Sequence, residues 1–151
     1  MLSWKNSFIK NYKLITILVM SFLYIFIGAK HFTEPQYFVN ITPPQVQHKL
    51  FAVYFTGVLE ILGGLLILNK KTRMIGAYTL IFLLIVVFPA NIYLYLSEIP
   101  QQLLGISKTQ ALTRMPFQAP LILLAYWHSK ENHPKWAVSY THLTLPTIYS
   151  V

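Results

Sequence analysis

Apolar runs broken by short polar segments predict four helices along the chain, at 14–32, 50–68, 74–96 and 111–128. A bilayer's hydrocarbon core is about 30 Å thick and a helix rises about 1.5 Å per residue, so the first three runs are long enough to span it. The fourth is shorter. Its unbroken apolar part, 115–127, covers only about 20 Å. It spans only if the helix begins near Ala111 with Arg114 snorkelling outward. Pro116 then weakens its first turns, and Pro120 removes a further backbone bond. Between the runs, 33–49 carries Pro35, Pro43 and Pro44 and reads as a polar loop. Residues 97–113 read as a second loop on the same side, with Leu103, Leu104 and Ile106 placed to lie on the interface. The link Lys70-Lys71-Thr72-Arg73 is short and basic. The expected fold class is all-α: a four-helix transmembrane bundle forming one domain over 1–137.

The run 50–68 organises the rest, because its only charge is Glu60. Twelve of its nineteen positions are Leu, Ile, Val or Phe. Together these favour insertion by roughly 4–7 kcal/mol, against roughly 2.5–3.5 kcal/mol for one ionised residue at mid-membrane. The segment therefore inserts and carries its acid with it. Thr56, Glu60 and Gly64 recur every four residues on one helix face, with Gly57 and Gly63 close beside it. Small residues admit a neighbouring helix, and the acid then needs a partner there. In the first helix Tyr24, Gly28 and His31 share a face near one end. Pro89 interrupts the third, leaving the carbonyl near Ile85 in need of another donor.

Composition agrees with a membrane protein: 55% hydrophobic residues, 11% charged and a mean hydropathy of +0.51. The net charge of +8 does not indicate nucleic acid, because no basic face is assembled; the cations flank apolar runs instead. Counting Lys and Arg gives eight on the side of both termini (Lys5, Lys10, Lys13, Lys70, Lys71, Arg73, Lys130, Lys135) and four opposite (Lys30, Lys49, Lys108, Arg114). The positive-inside rule thus puts both termini in the cytoplasm. The first run has no small-x-small cleavage site after it and reads as a retained helix rather than a signal peptide. No cysteine occurs, which excludes disulfides, thiolate catalysis and Cys-based metal sites. Residues 138–151 are uncharged and lack helical period. They look like translated sequencing-adapter read-through and are set aside from the fold.

Under this topology His31, Thr56, Asn91, Tyr95, Arg114 and Gln118 occupy the outer halves of the four helices and Glu60 lies near the middle of its own; five of these can converge on one cavity open to the outside. Each also has a plainer reading. Glu60, protonated or paired with Arg114 or His31, can simply tie helices together. A lone interfacial His is more often a satisfied hydrogen-bonder than a ligand, and Asn91 is well placed for the backbone that Pro89 frees. No His/Glu spacing makes a metal site, since His128 and His133 fall on the inner side. Gly28, Gly57, Gly63 and Gly64 are expected at helix contacts. An aromatic content of 15% is mostly packing, although an aromatic cavity suits a flat apolar ring such as a quinone.

The stretches GAKHFTEPQYFVNITPP, TGVLEILGGLLIL, TRMIGAYTLIFLLIVVFPANIYLYL and TRMPFQAPLILLAYW together resemble the DoxX family of small bacterial membrane proteins, in its DoxX-like branch. The matching positions include Gly28, His31, Pro35 and Tyr37; Gly57, Glu60 and Gly63; Pro89 and Asn91; Arg114, Pro116 and Gln118. The resemblance implies a four-helix protein of the bacterial inner membrane, in contact with membrane lipid. Some relatives are membrane subunits of thiosulfate–quinone oxidoreductases or partners in oxidative-stress complexes, which implies a soluble or membrane oxidoreductase partner and a quinone cofactor. The expected function is a membrane subunit or small-molecule binder working with a redox partner. Two alternatives stay open: a quinone-dependent oxidoreductase component using the Glu60 cluster, and a small carrier or scaffold without redox role. A carrier would need internal repeats, and none is evident.

Overall fold

The computed structural model describes residues 2–130. Residues 138–151, and with them the reading of the tail, lie outside the described part, as do His133 and Lys135. The described residues form helices and no strand: α1 (Leu2–Thr33), α2 (Pro35–Ile41), α3 (Lys49–Leu68), α4 (Arg73–Leu96), α5 (Glu98–Leu104) and α6 (Lys108–Ser129). Three are long and apolar enough to cross a membrane, namely α1 from Asn11 onward, α3 and α4. Their outward faces carry Phe22, Phe51, Phe55, Phe82 and Ile85, all exposed, while Ser21, His31, Glu60 and Asn91 are buried. A large exposed apolar surface around a partly polar interior suits a lipid surround and not water. The chain is a membrane protein.

Two short helices stand where polar loops are expected. The α2 helix forms because Pro35 sits at its first position, where the missing N–H would have no helical partner in any case. Its apolar residues Tyr37, Phe38 and Ile41 then pack onto the bundle. The α5 helix ends at Gly105, whose φ of 63° is the left-handed conformation that glycine adopts without steric cost. Next, α6 starts at Lys108, three residues before Ala111, because Ser107 and Gln110 form a capping box. The Ser107 hydroxyl accepts from the Gln110 amide at 3.2 Å, and Gln110 Oε1 accepts from the Ser107 amide at 2.9 Å. The helix then continues through Pro116 and Pro120.

In the bundle α3 packs against α1 on one side and α4 on the other, and α6 packs against α4. Two apolar clusters form the core. One joins Ile17, Met20 and Tyr24 of α1 to Ile67, Leu80, Leu83, Leu84 and Ala125. The other joins Ile41, Leu94 and Ala111, with Tyr95, Leu104 and Ile106 against them. Close contact of α1 with α3 depends on glycine. A Cβ on Gly28 would lie 2.8 Å from the Gly57 carbonyl oxygen, and one on Gly57 would lie 2.6 Å from the Cβ of His31. Neither site has room for a methyl group.

Candidate functional site

Between the two clusters every long helix contributes to a cavity of about 330 Å³. It lies beyond Tyr24 in α1, before Ile67 in α3, between Leu84 and Leu94 in α4, and past Ala111 in α6. Ile27, Val53, Val86, Val87 and Ala90 give it apolar walls, and Phe38 and Ile41 of α2 close one side. Into this apolar space project five polar side chains from four helices: His31, Thr56, Glu60, Asn91 and Arg114. The volume lies at the lower end of the range for small-molecule sites, which are likewise mostly apolar with a few convergent polar groups.

His31 is fixed from three sides. Its Nδ1 lies 2.8 Å from the Val53 carbonyl oxygen. A carbonyl only accepts, so Nδ1 carries a proton and donates it. The Thr56 hydroxyl donates to a carbonyl one turn back, Ala52 or Val53, at 3.0 Å, and its oxygen lies 3.3 Å from the same Nδ1. The Phe38 ring lies against the imidazole with centroids 3.6 Å apart, tilted by 35°. Only Nε2 is left, and it faces Glu60 Oε2 at 3.4 Å. With Nδ1 protonated, a bare Nε2 opposite a carboxylate would set lone pair against lone pair. A proton on the acid or on the ring relieves that opposition, and with one proton at the facing atoms the pair is neutral either way. Ordinary N–H···O bonds span about 2.7–3.2 Å, and Oε2 makes no hydrogen bond of that quality. The two groups approach without closing, deep in the protein.

Arg114 does not join them. Its Nη1 donates to the Tyr37 hydroxyl at 2.8 Å, and among the described residues no carboxylate pairs with it. Of the two partners open to Glu60 from sequence, the structure gives it His31. The Asn91 side chain is buried on the cavity wall and has no hydrogen-bond partner among the described residues. Asn91 does not relieve the Ile85 carbonyl; Gln118 Nε2 donates to the neighbouring Leu84 carbonyl at 3.2 Å.

Tyr95 and Gln118 stand outside the cavity. Tyr95 packs in the cluster around Ile41, Leu94 and Ala111, with Lys108 Nζ 5.3 Å above its ring. Gln118 lines a separate space of about 300 Å³ between α4 and α6, and its Oε1 is buried without a partner. Gly57, Gly63 and Gly64 are buried at helix contacts together with Gly76, whose Cβ would meet the Ile67 amide at 2.6 Å. Sequence reasoning passed over Gly76 and Phe38. The aromatic pair after Pro35 was the available signal for the latter, since Tyr37 and Phe38 meet edge to face at 5.2 Å. No group of three metal-ligating side chains occurs among the described residues.

Residues 20–129 match the family described as Domain of unknown function (DUF8561), a stretch that holds the whole cavity. No curated protein matches the chain, and no solved structure does. With most of its length inside that match, the chain belongs to the DUF8561 family.

Proposed function

We propose that the protein is a multi-pass protein of the bacterial inner membrane, a four-helix bundle with both termini in the cytoplasm, and that it binds a small amphipathic molecule in the cavity while working with a redox partner. The observation that carries this reading is the convergence of His31, Thr56, Glu60, Asn91 and Arg114 on one apolar-walled space. Of these, Glu60 Oε2 is buried with no hydrogen-bond partner among the described residues, which is unfavourable in a membrane interior and favours a ligand in the space it faces. The resemblance to the DoxX family belongs to the same proposal. In it α6, at 22 residues and about 33 Å, is the fourth span, and the eight-to-four bias in Lys and Arg supports the orientation.

A quinone ring fits the residues present. The Arg114 guanidinium and the Asn91 amide are donors toward a ring carbonyl, and the walls are aliphatic and aromatic. The approach of His31 Nε2 to Glu60 Oε2 at 3.4 Å, two proton-exchanging groups on the cavity wall, favours the oxidoreductase-component version of the reading over a plain scaffold. The test is titration of a short-chain quinone into the purified protein in nanodiscs, beside Ala90→Phe, which fills the cavity. Saturable binding that Ala90→Phe abolishes is the expected result; binding that survives it would remove the cavity from the proposal. Reporter fusions after Lys71 should read cytoplasmic and those near Gln45 and Gln102 should read outside.

A further inference from the structure

Among the described residues the charges around the cavity do not balance. The His31–Glu60 pair is neutral whichever atom holds its proton, so Glu60 cannot offset Arg114. Glu34 is paired with Lys30 at 2.9 Å, and Glu98 lies exposed on α5. A second cation stands at the same rim: Lys49 Nζ donates at 2.9 Å to the carbonyl of Thr42, a wall residue. Arg114 is partly buried, and Tyr37 supplies it with a neutral acceptor only. A guanidinium withdrawn from water calls for an anion, and its planar fork matches an oxyanion in two-point contact.

We infer that the cavity takes a monoanionic amphipath, with its oxyanion on Arg114 beside the Tyr37 hydroxyl and its apolar body along Val53, Val86 and Val87. Asn91 offers a further donor to the same head group. At about 330 Å³ the space equals the liquid volume of roughly eleven waters, room for a single ring with a short chain or a short acyl segment. This rests on the reading of the cavity as a ligand site and sets an anion in place of the neutral quinone on the same donors. The oxyanion can belong to a free carboxylic acid or to a membrane lipid's phosphate. Native mass spectrometry of protein released from its membranes tells those two sources apart.

The test compares two probes of the same shape, para-butylbenzoate and its neutral isostere para-butylbenzamide, titrated calorimetrically into the protein in nanodiscs. The benzoate should bind roughly ten-fold tighter or more. Arg114→Gln should erase that preference while leaving the benzamide affinity within about two-fold. Lys108→Gln removes an outer cation that sits over Tyr95 instead of in the cavity, and it should keep the preference. Equal affinity of the wild type for the two probes overturns the anion inference, as does a preference that survives Arg114→Gln. In both cases the cavity remains a ligand site. Failure of both probes to bind sinks the underlying reading as well. Should Arg114→Gln fail to fold, the wild-type comparison decides the question without it.

Discussion

Where α1 meets the close of α6, polar side chains are matched to neighbours. Lys13 Nζ donates to the Trp127 carbonyl at 3.0 Å, and Thr16 Oγ1 meets His128 Nε2 at 3.0 Å. Nearby, Ser21 donates to the Gly64 carbonyl at 2.7 Å, and Arg73 Nε donates to the Ile67 carbonyl at 2.9 Å. Roughly 27 Å further along α1, at His31, the same kinds of side chain surround open space. There, among the described residues, Glu60 Oε2 is buried with no hydrogen-bond partner and Asn91 lines the open space. Polarity alone does not separate architecture from function in such a bundle. Satisfaction does: a buried polar group bonded to a neighbouring helix is a strut, and one left facing a cavity is a receptor.

The sharpest way to break this contrast is Gly57→Val. Its Cβ has no room beside the His31 Cβ or the Gly28 carbonyl oxygen, so α1 must move off α3 at the level of the cavity. A loss of about 3 kcal/mol is expected, read as a large drop in melting temperature in detergent together with loss of ligand binding. Lys13→Met addresses the strut end. It should cost about 2 kcal/mol of stability and leave binding per folded molecule unchanged. Were binding to fall as well, the two ends would not be independent.

Smaller in effect is the coupling inside the receptor end. A double-mutant cycle on Glu60→Gln and His31→Gln should give a coupling of about 1.5 kcal/mol, whereas Glu60→Gln with Arg114→Gln should be additive within about 0.5 kcal/mol. Glu60→Gln by itself is expected to fold and to lose ligand binding. A double variant with Arg114→Gln that regained lost stability would show that Arg114 reaches the acid after all. The smallest effect belongs to Gly63→Ala. A Cβ there meets the Leu80 Cδ2 atom, the movable end of a side chain, so a change of about 1 kcal/mol or less is expected. A loss as large as that for Gly57→Val would mean that Leu80 cannot turn aside.

Apolar runs at 50–68 and 74–96 mark α3 and α4 to within a residue, because long, strongly apolar segments leave the backbone no alternative to helix in lipid. Seven-residue helices carry no such signal. The α2 and α5 helices are held by tertiary contact, and Pro35, Pro43 and Pro44 make the first segment look like loop. The start of α6 was legible in Ser107-Lys108-Thr109-Gln110, a capping-box pattern hidden inside an apparently featureless polar stretch.

Helix periodicity identified the face of each site residue but not its height. Tyr95 lies one turn beyond Asn91, and Gln118 one turn beyond Arg114, on the faces expected of them. One turn is about 5.4 Å, enough to carry each out of the cavity. The partner of Glu60 was also beyond sequence, since choosing between His31 and Arg114 needs the position of Tyr37 on a helix that periodicity does not show.

The bond from Gln118 to the Leu84 carbonyl bears on how the chain enters a membrane. Arg114, Pro116, Gln118 and Pro120 make α6 a poor candidate for insertion by itself, and it is not among the helices that qualify by length and composition. Its amide finds an acceptor only on α4, in the turn before Pro89. We therefore expect synthesis order to matter: α6 should be retained in the bilayer only after α4 is already there to receive it. In a translation assay with membranes, α6 fused to an unrelated leader should slip through. Efficient insertion without α4 would show that the dependence does not exist.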